Sequence, residues 1–197
     1  MKHPKGCPLK IETTPLEGLL ILTPNRFGDH RGFFEETWNR EVLTEAGITL
    51  DFVQDNHSLS EAIGTVRGLH FQAPPTAQDK LVRCGRGALF DVAVDIRRGS
   101  PTYGKWFGTE LSFANGRQLL VPAGFAHGFA TLEKDTEIVY KCSDYYAPQS
   151  EGALLWNDPA IGIDWGLGDT PAVLSDKDAI AQGINGFESP FTYEGDA

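Results

Sequence analysis

Short apolar runs separated by turn residues recur along the chain, and most of them have a period of two. The clearest lies between Ala88 and Ile96, where Phe90, Val92, Val94 and Ile96 alternate with Leu89, Asp91, Ala93 and Asp95. This pattern predicts a strand whose two faces meet different surroundings, and alternation alone favours solvent for the Asp91 and Asp95 carboxylates. Further strands are predicted over Gly18 to Thr23, Phe33 to Trp38, Asp51 to Leu59, Gly64 to Gln72, Lys80 to Arg86, Trp106 to Phe113, Gln118 to Val121, Gly128 to Leu132 and Thr136 to Cys142. Pro24 to Gly32 reads as a loop. Helical spacing is confined to two short places. Val42, Leu43 and Ala46 share a stripe that Asn39 would cap and Gly47 would stop, and Ser175 to Gln182 has the look of a second capped helix. So many short strands with so little helix predict an all-β sandwich or barrel. Beyond Leu155 the pattern loosens. A tail of about 157–197 is expected to pack across the sheet within a single domain spanning 1–197, rather than to fold separately.

Composition narrows the picture. With 41% hydrophobic and 11% aromatic residues among 197, the chain can bury a sizeable core, which excludes disorder as the main reading. Its 22 glycines and 12 prolines suit many turns. The formal charge of −10 argues against a nucleic-acid partner. The first apolar cluster, Leu19 to Leu22, is too short for a signal-peptide core or a membrane span, so a cytoplasmic protein with no membrane partner is expected. Cys7, Cys84 and Cys142 are odd in number and widely spaced, which speaks against a disulfide framework or a CxxC site and for reduced apolar fillers.

Two histidines lie in settings that resemble sites: His70 in Arg67-Gly68-Leu69-His70-Phe71-Gln72, and His127 in Val121-Pro122-Ala123-Gly124-Phe125-Ala126-His127-Gly128-Phe129. On a strand, His70 shares a face with Val66, Gly68 and Gln72, and the small Gly68 is expected to leave space for a ligand in front of the sheet. A metal is not expected. There is no HxH and no HExxH, and neither His30 nor His57, with Glu35 and Glu61 downstream, has a second imidazole beside it. Tyr140 sits on an apolar face where a core role is the simplest reading, while Lys80 and Asp178 would ordinarily be solvated charges. Arg26, Arg31, Arg67, Arg83 and Arg86 supply cations from which a phosphate ligand could take two or three.

Together, Phe27-Gly28-Asp29-His30-Arg31-Gly32-Phe33-Phe34, Gln54-Asp55-Asn56-His57-Ser58, the two histidine segments, Tyr140-Lys141-Cys142-Ser143-Asp144-Tyr145-Tyr146 and Trp156-Asn157-Asp158-Pro159 resemble the dTDP-4-dehydrorhamnose 3,5-epimerases over about residues 10 to 190. The resemblance implies a cupin-type jelly roll, or double-stranded β-helix barrel, without metal or other cofactor. It also implies a homodimer acting on a dTDP-4-keto-6-deoxy sugar. By motif, it makes His70 the base, Asp178 its carboxylate partner, Tyr140 the acid and Lys80 the cation near the sugar's C4 oxygen. Arg67, His127 and Tyr146 become pocket residues, Phe27, Arg31, Glu36, Gln54 and Asn56 nucleotide-side residues, and Glu151 and Lys177 further substrate contacts. One departure is the run Thr76-Ala77-Gln78-Asp79-Lys80, since related enzymes often carry His and Gly where Thr76 and Asp79 stand; this leaves room for an altered sugar preference.

The implied chemistry is coherent. A C4 carbonyl acidifies the protons at C3 and C5, so one base can remove either if the enolate is stabilised. A carboxylate on the other nitrogen of that base would fix its tautomer, and Asp91 is a candidate to orient His127 in the same manner. Three alternatives stay open on sequence: an epimerase acting on C3 or C5 only, a metal-dependent cupin, and a non-catalytic sugar-binding jelly roll.

Overall fold

A computed structural model describes residues 9–195, which contain thirteen strands, two short α-helices and one 3-10 helix (Pro148–Ser150); Cys7 lies outside the described residues. The strands are β1 (Leu9–Thr13), β2 (Leu20–Pro24), β3 (Arg26–Asp29), β4 (Gly32–Glu35), β5 (Gln54–Ser60), β6 (Val66–Gln72), β7 (Lys80–Arg86), β8 (Ala88–Asp95), β9 (Trp106–Ser112), β10 (Gln118–Val121), β11 (Phe125–Thr131), β12 (Thr136–Cys142) and β13 (Glu151–Ala153). Helix α1 (Arg40–Glu45) lies between β4 and β5, and helix α2 (Asp176–Ala179) follows β13. One sheet runs β1-β2-β10-β7-β12-β5 and a second β13-β6-β11-β8-β9, every pairing within them antiparallel.

The two sheets face each other across a core in which Val82, Leu119 and Ile138 of the first meet Leu89, Leu111 and Phe129 of the second. Each such side chain contributes about 1.5–3 kcal/mol by leaving water. This is the expected all-β jelly roll. The outer face of the second sheet, with Val92, Val94 and Ala126, is covered by Ile161, Trp165 and Phe191, which follow the last strand. Leu22, Leu81 and Leu120 on the outside of the first sheet are covered by Leu43 of α1 together with Trp38 and Phe52. As expected, Asn39 caps α1, its side-chain oxygen accepting from the Glu41 amide at 3.0 Å. The late helix is shorter than predicted and ends at Ala179.

Two expectations need correction. Asp91 and Asp95 are fully buried rather than solvated. Both faces of β8 are covered, one by the opposite sheet and one by the tail, so the strand has no wet side. Asp95 is satisfied there by Arg97, Ser100 and Thr102. Burial alone would raise its pKa, but these donors together hold the carboxyl below its usual range. The supposed loop from Pro24 to Gly32 is mostly strand: β3 and β4 form a hairpin in which Arg26 pairs with Glu35 at 2.6 Å and lays its guanidinium 4.3 Å from the Phe33 ring. Cys84 and Cys142 are buried free thiols, and burial pushes Cys84 up to about 11, as inert fillers require.

Candidate active site

β6 and β11 lie side by side with His70 directly opposite His127. Their approach depends on two glycines. A Cβ at Gly68, whose φ is +122°, would stand 2.5 Å from Gly128 Cα and 2.7 Å from the His127 carbonyl oxygen. The room expected in front of Gly68 is therefore filled by the backbone of β11, which makes Gly68 a packing requirement rather than a ligand space.

Beside the histidines, the two sheets part into a cleft of about 500 Å³. His70, Arg67 and His127 enter from the second sheet, Tyr140, Lys80 and Ser58 from the first, and the tail closes over it with Leu174, Lys177 and Asp178. His70 Nε2 lies 2.6 Å from Asp178 Oδ1. With the carboxylate as acceptor, the ring proton belongs on Nε2 and the basic lone pair on Nδ1. Asp178 is itself buried, and its amide donates to the capping Ser175 hydroxyl at 3.2 Å. His127 repeats the arrangement: its Nε2 lies 2.8 Å from Oδ1 of the buried Asp91, the contact proposed from sequence.

Burial dominates the titration of the cleft. It holds the His70 imidazole below its ordinary range; Asp178 opposes this, and the cations Lys80 and Lys177 add to it. Lys80 is also pulled down by burial, against the pull of Cys142, Asp91 and Glu151. Tyr140 is pushed up by burial, with Cys142 adding to the effect and Arg67 opposing it. The site thus favours a neutral imidazole and a protonated phenol at neutral pH.

A smaller side chamber of about 110 Å³ shares His70, Lys80 and Tyr140 with the cleft and adds Gln54, Asn56, Tyr146 and Glu151. At its rim, Tyr146 donates to Glu151 at 3.1 Å and Lys177 pairs with Glu151 at 2.6 Å. Burial disfavours the Glu151 carboxylate, but Lys177 and Tyr146 prevail and keep its pKa low. Arg67 is anchored by Ser60 and the Leu59 carbonyl.

Phe27, Arg31 and Glu36 are not brought to this cleft. Phe27 and Arg31 sit on the β3–β4 hairpin, Arg31 paired with Asp29, and Glu36 accepts from the Asn39 side chain. Of the other arginines, Arg26 is spent on Glu35, Arg86 on Glu137, and Arg83 lies on the outer side of the first sheet near Gln118 and Lys141. The sequence reading missed Ser58, Leu174 and Cys142 as lining residues. Ser58 had a signal, since Gln54, Asn56 and Ser58 recur at period two on one face of β5; Leu174 and Cys142 carry none that separates them from core.

A family model described as dTDP-4-dehydrorhamnose 3,5-epimerase matches residues 13–185. The dTDP-4-dehydrorhamnose 3,5-epimerase of Salmonella typhimurium is 54% identical over 169 residues, 85% of this chain and 91% of its own. Among solved structures, a dTDP-6-deoxy-D-glucose-3,5-epimerase from Legionella pneumophila in complex with dTDP-4-keto-L-rhamnose has a TM-score of 0.91 at 45% identity, covering 95% of this chain and 100% of that one. A 3'-monoepimerase from Streptomyces bikiniensis in complex with dTDP-quinovose has a TM-score of 0.83 at 35% identity, covering 87% of this chain and 86% of that one.

Proposed function

Because the chain belongs to the dTDP-4-dehydrorhamnose 3,5-epimerase family, isomerases that invert C3 and C5 of dTDP-4-dehydro-6-deoxy-D-glucose, we propose that it performs this reaction with His70 as base, Tyr140 as acid and Lys80 at the C4 oxygen. The observation that carries the assignment is placement. His70 comes from β6 and Tyr140 from β12, strands of opposite sheets, so the two groups look into one cleft from facing walls. Inversion requires a proton to leave one face of a carbon and return to the other.

In this reading His70 Nδ1 takes the proton from C3 or C5, and Asp178 steadies the imidazolium that results. The electron pair moves onto the C4 oxygen, where the Lys80 ammonium stabilises the enolate in a half-buried site. Tyr140 then protonates the same carbon from the far wall; its phenolate takes a proton from solvent and the His70 imidazolium returns one to it, which restores both groups for the second carbon. His127, held by Asp91, together with Arg67 borders the sugar, while Gln54, Asn56, Tyr146, Glu151 and Lys177 line the way to the nucleotide. No step calls on a cofactor.

The same reading makes the enzyme a homodimer. Phe27, Arg31 and Glu36 match nucleotide-side positions yet stand away from their own cleft, and Phe27 and Phe33 of the hairpin are 41% and 42% exposed. A hairpin so placed serves the cleft of a second copy, which would also cover these rings. We assign the enzyme to the cytoplasm on the supply of its nucleotide-sugar substrate; among the described residues no helix is long and apolar enough to cross a membrane. Incubation with dTDP-4-keto-6-deoxyglucose in deuterated water should place deuterium at both C3 and C5. Exchange at one carbon only would reduce the activity to a monoepimerase, and exchange at neither would refute the reading.

A further inference from the structure

Lys80 is the first residue of β7, and no carboxylate of the described residues lies within ion-pair distance of its ammonium. A lysine side chain has a flexible four-carbon stem. In the absence of such a partner, the position of the charge depends heavily on how firmly the backbone beneath it is held. The ladder pairs Lys80 with Val121 of β10 on one side and Cys142 of β12 on the other. Strand ends fray unless something beyond the ladder ties them down.

Here that tie is Asp79. Its Oδ1 accepts from the Ala123 amide at 3.0 Å, and its Oδ2 accepts from the Ser143 hydroxyl at 2.9 Å. Its own amide donates to the Ser143 hydroxyl oxygen at 2.8 Å, and its carbonyl accepts from the Ser143 amide at 3.0 Å. One carboxylate thus straddles both neighbouring strands just where they run past the start of β7. Ala123 lies in the turn that leads to His127, and Ser143 follows the strand that carries Tyr140. Both oxygens are used on neutral donors, and neither is spent on Lys80. Adjacent side chains extend the seam: Gln78 donates to the Asp144 carbonyl at 2.8 Å, and Gln72 holds the Tyr145 carbonyl and the Ala147 amide, each at 2.9 Å.

We propose that Asp79 is a positioning residue for Lys80, its carboxylate bolting the start of β7 to β10 and β12 so that the ammonium is held where the C4 oxygen develops charge. This rests on the reading of Lys80 as the enolate-stabilising group. A carboxylate suits this place because it accepts on both arms: the Ser143 hydroxyl donates to it while the same oxygen accepts from the Asp79 amide. An amide in place of the carboxylate keeps the Ala123 arm and weakens the Ser143 arm.

The test is a double-mutant cycle on kcat and KM, with the dTDP-4-keto sugar as substrate and deuterium incorporation as the readout for slow variants. Asp79→Ala should lower kcat on the order of 10- to 100-fold, the scale of a small misplacement, with KM changed by no more than about twofold. Asp79→Asn should fall between it and the natural enzyme. In a Lys80→Ala background, Asp79→Ala should change the residual rate by less than about twofold, because the group it positions is gone. A full extra loss in that background, or a natural kcat in folded Asp79→Ala, would overturn the proposal while leaving Lys80 in its role. A natural kcat in Lys80→Ala would instead overturn the reading of Lys80, and the proposal with it. Should Asp79→Ala fail to fold, Ser143→Ala removes one arm from the other side and is expected to lower kcat several-fold; no change there would count against the proposal.

Discussion

The imidazole of His70 on β6 and the carboxylate of Asp178 on α2 meet at 2.6 Å, the carboxylate buried and the ring open to the cleft. This contact decides which nitrogen of His70 is basic, so its loss should damage catalysis more than binding. Asp178→Asn is expected to lower kcat on the order of 10²–10⁴-fold while KM changes little, as for other bases deprived of their orienting carboxylate. Steady-state kinetics at neutral pH would check this; a variant with natural kcat would remove Asp178 from the mechanism.

Activity against pH should follow two groups with opposite demands. As the proposed base His70 has to be neutral, and burial holds its pKa below the ordinary range. The acid limb of kcat/KM is therefore expected below the usual histidine value of about 6.5, activity falling as the pH drops through it. As the proposed cation at the C4 oxygen Lys80 has to be charged, and burial pulls its pKa down. The alkaline limb should then fall below the ordinary lysine value of about 10.4, activity declining as the pH rises through it. Tyr140, pushed upward, stays protonated across that range. An acid limb above about 7 would contradict the assignment of His70 as the buried base.

Gly68 offers a test of packing. Its φ of +122° and the Gly128 backbone 2.5 Å from a would-be Cβ leave no place for a side chain. Gly68→Ala should cost about 2–5 kcal/mol, combining backbone strain with an overpacked strand pair, and should disturb the register of His70 against His127. Urea unfolding would measure the first effect, and a loss below about 1 kcal/mol would show that β11 can retreat.

Much of the fold was legible because its signals are local. Asn39 announced α1 by its capping chemistry, and β7, β10 and β12 begin and end where their apolar runs do. What stayed hidden depends on distant partners. β8 alternates as a half-exposed strand would, but the tail covers one face and the opposite sheet the other, so Asp91 and Asp95 are buried. β3 looks like a loop because Asn25, Gly28, Asp29 and Gly32 crowd its ends, and only its pairing with β4 makes it a strand. β13 has three residues and exists because β6 offers it an edge. In the site, His70, Lys80, Tyr140 and Asp178 were named by motif, not by periodicity. Asp178 in particular lies in a loosely patterned tail, and its neighbour His70 is reached only through the fold.

The central claim is that base and acid act from opposite walls of one cleft, and the most direct measurement separates proton removal from inversion in Tyr140→Phe. With dTDP-4-keto-6-deoxyglucose in deuterated water, followed by NMR, His70→Asn should lose exchange and inversion together, each on the order of 10²–10⁴-fold. Tyr140→Phe should still exchange C3 and C5 protons, because His70 can abstract and the enolate can collapse back with a solvent deuteron, while inversion falls far more than exchange. Equal loss of exchange and inversion in a folded Tyr140→Phe enzyme would contradict the division of roles between the two walls.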